Sequence, residues 1–231
     1  MRVRNENGSV GGHRLMAVGA TVLVLAGLGT VAVGLWGNSP PPQPPTALTT
    51  PTPYPVPGSP VASPVTPAKL TPARLALSAS VPTRLVIPAI GVDSHLIRLG
   101  LNPDGTVQVP PLALHSPAGW YQHSPTPGQI GPAVILGHVD TYSQRSVFYR
   151  LGDMRPGDHI AVTRADHKVA VFTVDRIGDY PKADFPQLQV YGNTSTAQLR
   201  LITCGGDYNA ATGHYLNNIV IYATLTSTHP A

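Results

Sequence analysis

The chain has a single cysteine, Cys204, in 231 residues. That excludes an intramolecular disulfide and leaves one thiol to be explained. Charged residues make up 11% of the chain and aromatic residues 6%. No basic run with interleaved aromatics occurs, so the net charge of +4 does not point to nucleic acid. Part of that charge sits in Arg2, Arg4 and Arg14, at the extreme N-terminus. HxxxH and CxxC spacings are absent, which leaves a structural zinc site short of ligands. The sparse acidic residues match no metal-binding motif, and no metal or cofactor is expected. Helical periodicity is lacking too: no 12-residue stretch carries a convincing 3.6 period. There is no internal repeat, and no Lys or Arg follows Cys204.

Proline (26) and glycine (23) are abundant, and their uneven distribution divides the chain into three parts. Residues 1–14 form a basic tail. Leu15 to Trp36 then runs 22 residues without a charge. As a helix it covers about 33 Å, enough for a bilayer core of about 30 Å. Arginines precede it and no Lys or Arg follows until Lys69, which predicts a cytoplasmic N-terminus and an extracytoplasmic remainder. The run is long for the h-region of a cleaved signal peptide, so a retained single-pass anchor in the cell membrane is expected. Residues 37–72, "GNSPPPQPPTALTTPTPYPVPGSPVASPVTPAKLTP", read as a linker. Proline fixes φ and lacks the N–H that ladders need, so this segment is expected to be a disordered, extended spacer.

Residues 73–231 read as one globular domain. Short β-rich runs recur between turn signals: 83–88, 106–110, 131–139, 158–164, 168–177, 197–204 and 217–225. "VAVFTVDRI" alternates with period two, as a half-buried strand does. "NPDG" and "RPGD" are turn-like. The pattern predicts an all-β domain with short helices, either closed or sandwiched.

Cys204 ends the apolar run "AQLRLITC" and is followed by two glycines. A thiol becomes a good nucleophile when a base takes its proton, and histidine is the usual base. Of nine histidines, His138 stands out, because it also ends an apolar run, "GPAVILGHV", and precedes a polar segment. Spacing alone does not join two residues 66 positions apart. A buried cysteine and an unrelated histidine are the alternative.

"ILGHVDTYSQRSVFYRLGDMRPGD" (135–158) and "LRLITCGGDYNAATGHYLNNIVIYA" (199–223) resemble the two signature regions of sortases, and "RLVIPAIGVDSHLIRLGL" (84–101) resembles their first strands. The "GHVD" and "TCGG" forms look most like the class F sortases of actinobacteria. The resemblance implies a closed sortase-type β-barrel and a cysteine transpeptidase outside the membrane. Cys204 would be the nucleophile that cleaves an LPxTG-like C-terminal sorting signal of secreted proteins, forming a thioester. His138 would be the general acid and base. A cell-wall peptide amine would resolve the thioester. The residues 180–192 would form a loop lining the groove, with Phe185, Leu188 and Val190 as apolar wall residues.

One part of the family pattern is missing. Sortases usually carry an arginine on the strand after the cysteine, and this chain has none there. Arg200, Arg176, the amides of Asn217 and Asn218, and the backbone N–H groups of Gly205 and Gly206 are the alternatives. Asp140 is either an orienting partner for His138 or a turn cap. The other transpeptidase pattern, S-x-G-C-x-R, fits "ITCGG" badly. A tethered, non-catalytic β domain binding cell-wall or protein ligands is the competing reading.

Overall fold

The computed structural model describes residues 40–45, 75–113, 116–141 and 144–231, all within one compact unit, Gly37–Ala231. The tail (1–14), the expected membrane segment (15–36) and most of the linker (37–72) lie outside the described residues. No helix among the described residues is long and apolar enough to cross a membrane.

Eight strands close into a barrel: β1 (Pro82–Ile87), β2 (Val92–Leu99), β3 (Ala118–Tyr121), β4 (Gly131–Leu136), β5 (His159–Arg164), β6 (Lys168–Pro181), β7 (Ala197–Asn209) and β8 (His214–Pro230). Their order around the barrel is β1-β2-β3-β4-β7-β8-β6-β5, with β5 returning to β1. Two pairs are parallel, β2 with β3 and β4 with β7, and the other neighbours run antiparallel. Among the described residues, one five-residue helix, α1 (Gln187–Tyr191), and three short 3-10 turns accompany the strands.

Period-two alternation sorts the side chains into two layers. Leu85, Ile87, Ile135, Ile160, Phe172, Leu199, Leu201 and Ile221 fill the barrel interior. The intervening residues of the same strands, Val134, Ile202, Val220 and Tyr222, face outward and form a second cluster with Val190 of α1. Tyr121, Leu136, Tyr180, Phe185 and Tyr191 pack against it. The barrel wall formed by β4, β7, β8 and β6 is therefore apolar on both faces, and α1 with its flanking loop covers part of the outer one.

Three sequence expectations change. Residues 106–110 form no strand; Val107 makes only an isolated bridge to Leu101. The side chain of Gln108 bonds back to Gly100 N and Leu101 O, which closes a loop instead. Leu188 is 89% exposed and lines no apolar wall, whereas Val190 is buried and Phe185 partly so. Finally, Pro40–Pro45 lies against the domain. Pro41 and Pro44 are buried, the Tyr149 hydroxyl donates to Pro40 O (3.1 Å), and Gly206 N donates to Gln43 Oε1 (2.9 Å).

Candidate active site

The parallel pairing of β4 with β7 runs at one constant offset, from Gly131 opposite Ala197 to Leu136 opposite Ile202. The ladder continues one step further, because Gly137 N donates to Ile202 O (3.1 Å). Carried to its end, that offset sets His138 opposite Cys204. Both face the outer side. A Cβ on Gly137 would meet Phe148 and Val147, and one on Gly205 would meet Ile219, so these two glycines point to the core and their neighbours away from it. Neighbouring strands lie about 4.8 Å apart, so two residues distant in sequence share one short stretch of wall.

Several contacts hold these strand ends. Thr203, buried beside the cysteine, donates its hydroxyl to Gly137 O (2.8 Å), which ties the two strands just before both residues. Phe148 is fully buried, and its N–H donates to His138 O (2.9 Å). Leu151, three positions on, is also fully buried. The F-x-x-L element thus acts as a packed support for the histidine backbone. The imidazole is 2.7 Å from Pro110 O through Nε2. A carbonyl oxygen only accepts, so Nε2 carries a hydrogen and Nδ1 is the ring nitrogen left to exchange one. The loop that ends at Pro110 is the 106–110 segment that forms no strand.

Among the described residues, the Asp140 carboxylate bonds neither the imidazole nor a turn N–H. That group accepts from the Tyr215 hydroxyl at the start of β8. Burial, and then this bond, push the Tyr215 phenol up from its ordinary value.

The candidates for the missing arginine separate by geometry. Arg200 shares the outward face with Cys204, but its guanidinium turns away. It donates to Leu199 O and Gln198 Oε1 and lies over the Tyr222 ring at 4.5 Å. Arg176, the other registered neighbour of Tyr222, lies over the same ring at 3.3 Å and donates to the Tyr180 hydroxyl at 2.9 Å. Tyr222 is four strand residues from Asn218, about 13 Å along β8, so both arginines are anchored well away from the sulfur. Asn217 donates to Asp179 Oδ1 (3.0 Å). Asn218 is in register opposite Cys204, and its amide has no hydrogen-bond partner among the described residues. The Gly206 N–H is engaged by Gln43.

Sequence reasoning missed Lys182. It opens the 3-10 turn Lys182–Asp184 directly after β6, and its ammonium donates to Cys204 Sγ at 3.5 Å. A signal was available, because Lys182 is the only Lys or Arg between Arg176 and Arg200. It lies in the loop expected to line the groove.

The profile of the Sortase domain family matches residues 85–226, more than half of the chain. The chain belongs to the sortase family. Sortases are cysteine transpeptidases that act on LPxTG-like sorting signals and cell-wall amine acceptors. Solved structures similar to this sortase include sortase C of Streptococcus pneumoniae, at 22% identity and a TM-score of 0.48, covering 64% of this chain and 68% of that one. The SrtA sortase from Actinomyces oris is 19% identical with a TM-score of 0.47, covering 70% of this chain and 89% of that one. Sortase A from Corynebacterium diphtheriae is 21% identical with a TM-score of 0.47, covering 65% of this chain and 62% of that one. No curated protein sequence matches.

Proposed function

We propose that this sortase is a membrane-anchored transpeptidase of the class F form, with Cys204 as nucleophile and His138 as general acid and base. The reading is supported by one observation above the others: the β4–β7 register, tied by Thr203, brings the two strand ends together on one face. In the first half-reaction His138 takes the Cys204 thiol proton and the sulfur adds to the threonine carbonyl carbon of an LPxTG-like signal. The carbonyl π pair moves to oxygen. When it returns, the C–N bond breaks and the departing amine takes a proton from His138. The product is a thioester on Cys204, which keeps the acyl group activated. In the second half-reaction a cell-wall peptide amine attacks the thioester, His138 takes its proton, the C–S bond breaks with its electron pair going to sulfur, and His138 returns the proton to restore the thiol. Because the Pro110 carbonyl occupies Nε2, the proton passes through Nδ1 in both halves. The uncharged segment 15–36 would hold the chain in the cell membrane with the domain outside, where sorting signals of secreted proteins arrive.

Mass spectrometry of the full-length protein incubated with an LPxTG-type peptide tests this reading. A thioester adduct on Cys204 is expected, absent in Cys204→Ala. His138→Ala should slow its formation by about 10²–10⁴-fold. Peptide binding with no adduct in the wild type would mark a tethered binding domain instead.

A further inference from the structure

We propose that Lys182 is the cation of this active site and does the electrostatic work for which the chain provides no arginine. The observation is direct: its ammonium lies 3.5 Å from Cys204 Sγ. Three others make it specific. No Lys or Arg follows Cys204 in the sequence. The two arginines on the same wall are held elsewhere, Arg176 by Tyr180 and Tyr222, and Arg200 by Gln198 and Tyr222. Lys182 forms no ion pair among the described residues, so its charge is not committed to a carboxylate. The turn that carries it is anchored on both sides: β6 runs in register with β8 as far as Pro181 opposite Asn217, and Phe185 packs into the outer cluster.

The proposal rests on Cys204 being the nucleophile. Negative charge then appears first on sulfur and next on the carbonyl oxygen as the sulfur adds to carbon. An ammonium beside the sulfur attracts both charges, and a flexible four-carbon stem lets it follow the charge from one atom to the other. Lys182 keeps its three protons throughout. Proton transfer remains with His138, and no co-reactant is required. Asn218, opposite the cysteine, supplies a neutral amide on the same wall and no charge.

Paired alkylation of the full-length protein separates charge from structure. Iodoacetate is anionic and iodoacetamide neutral, and both alkylate the same sulfur. Their rate ratio at Cys204 reports the local positive charge and does not depend on a sorting peptide. Lys182→Gln is expected to lower the iodoacetate-to-iodoacetamide ratio about 3- to 10-fold, the effect of one nearby unit charge at a wet surface, and Lys182→Arg should restore it. The peptide reaction of Lys182→Gln should lose kcat more than it raises KM, with recovery in Lys182→Arg. An unchanged alkylation ratio in Lys182→Gln overturns the proposal. If the wild type forms no peptide adduct, the transpeptidase reading fails, and the alkylation ratio still decides whether Lys182 charges the site.

Discussion

Arg200 is only 3% exposed, and its Nε has no hydrogen-bond partner among the described residues. Burial lowers its pKa from the ordinary arginine value to about 10, with Arg176 adding to the shift and Tyr222 opposing it. A cation whose folded value lies below its unfolded one is charged at a cost to folding. That cost is fully present at neutral pH and fades only as pH rises past about 10. The ring of Tyr222 and the amide of Gln198 offset part of it. Arg200→Met keeps the length and the apolar contact and removes the charge. Buried charges replaced in this way leave stability unchanged or raise it, by up to about 1–4 kcal/mol. Thermal unfolding of Arg200→Met at pH 7 should therefore show a Tm no lower than the wild type's, and thioester formation should stay within about 10-fold. A larger loss of adduct in a stable variant would return Arg200 to the active site. Strand parity made its face legible in the sequence, since 200 and 204 differ by an even number. It could not show which way along the strand a long side chain leans, because Gln198, Tyr222 and Arg176 settle that from three strands. Lys182 was overlooked for a related reason: nothing local to "YPKADF" tells that its turn sits over the end of β7.

The elements most legible in the sequence were those with clean alternation or long apolar runs, β4 to β8 above all. Their ends were less so. β6 continues to Pro181 and β8 to Pro230, beyond the apolar residues that marked them, because each is the other's partner along almost its whole length. β3, "AGWY", is too short to show a period, and it exists by parallel pairing with β2. The strap Pro40–Pro45 was not legible at all, since a proline-rich segment carries no pattern that names its partner. Its seat is made by a glycine. At Gly152 a Cβ would lie 2.0 Å from Pro42 O and 3.1 Å from Gln43 Cα, which are backbone atoms that cannot swing aside. Gly152→Ala should therefore displace the strap, and Gln43→Ala should release its one bond to the β7–β8 end. Hydrogen exchange reads both, because Gly206 N–H is protected by Gln43 Oε1. Peptides spanning Gly206 should exchange faster in both variants, with the barrel strands unchanged. Wild-type exchange there in both variants would show that the strap does not protect that amide.

At the scale of the molecule, closure joins segments that the sequence keeps far apart. The resemblance to sortases implied the barrel; composition and period alone left a sandwich open. Register and parallel pairing, which decide whether His138 and Cys204 meet, have no local signature. Closure at β1 and β5 brings one charged side chain fully inside. Arg164, at the end of β5, has a side chain 0% exposed. It donates to Pro127 O in the loop before β4 and to Ser78 O before β1, and forks onto Asp166 through Nε (3.2 Å) and Nη2 (3.0 Å). A single guanidinium thus pins three segments where the sheet meets itself. The bond to Arg164 is the main cause holding Asp166 below the usual carboxylate range. A depressed carboxylate stabilises the fold fully above its unfolded value, near 3.9, and that contribution is lost as pH falls through the lower folded value. Asp166→Asn keeps the shape and removes the charge. With the Asp166 side chain 32% exposed and two carbonyls still accepting from Arg164, the loss at pH 7 should be about 1–2 kcal/mol. That corresponds to about 2–8 °C in Tm. Because protonated Asp166 resembles asparagine, the gap between the two proteins should close as pH drops below about 4. A gap that stays constant from neutral to acid pH would mean that the charge on Asp166 contributes nothing to the seam, and that Arg164 is held by the two carbonyls alone.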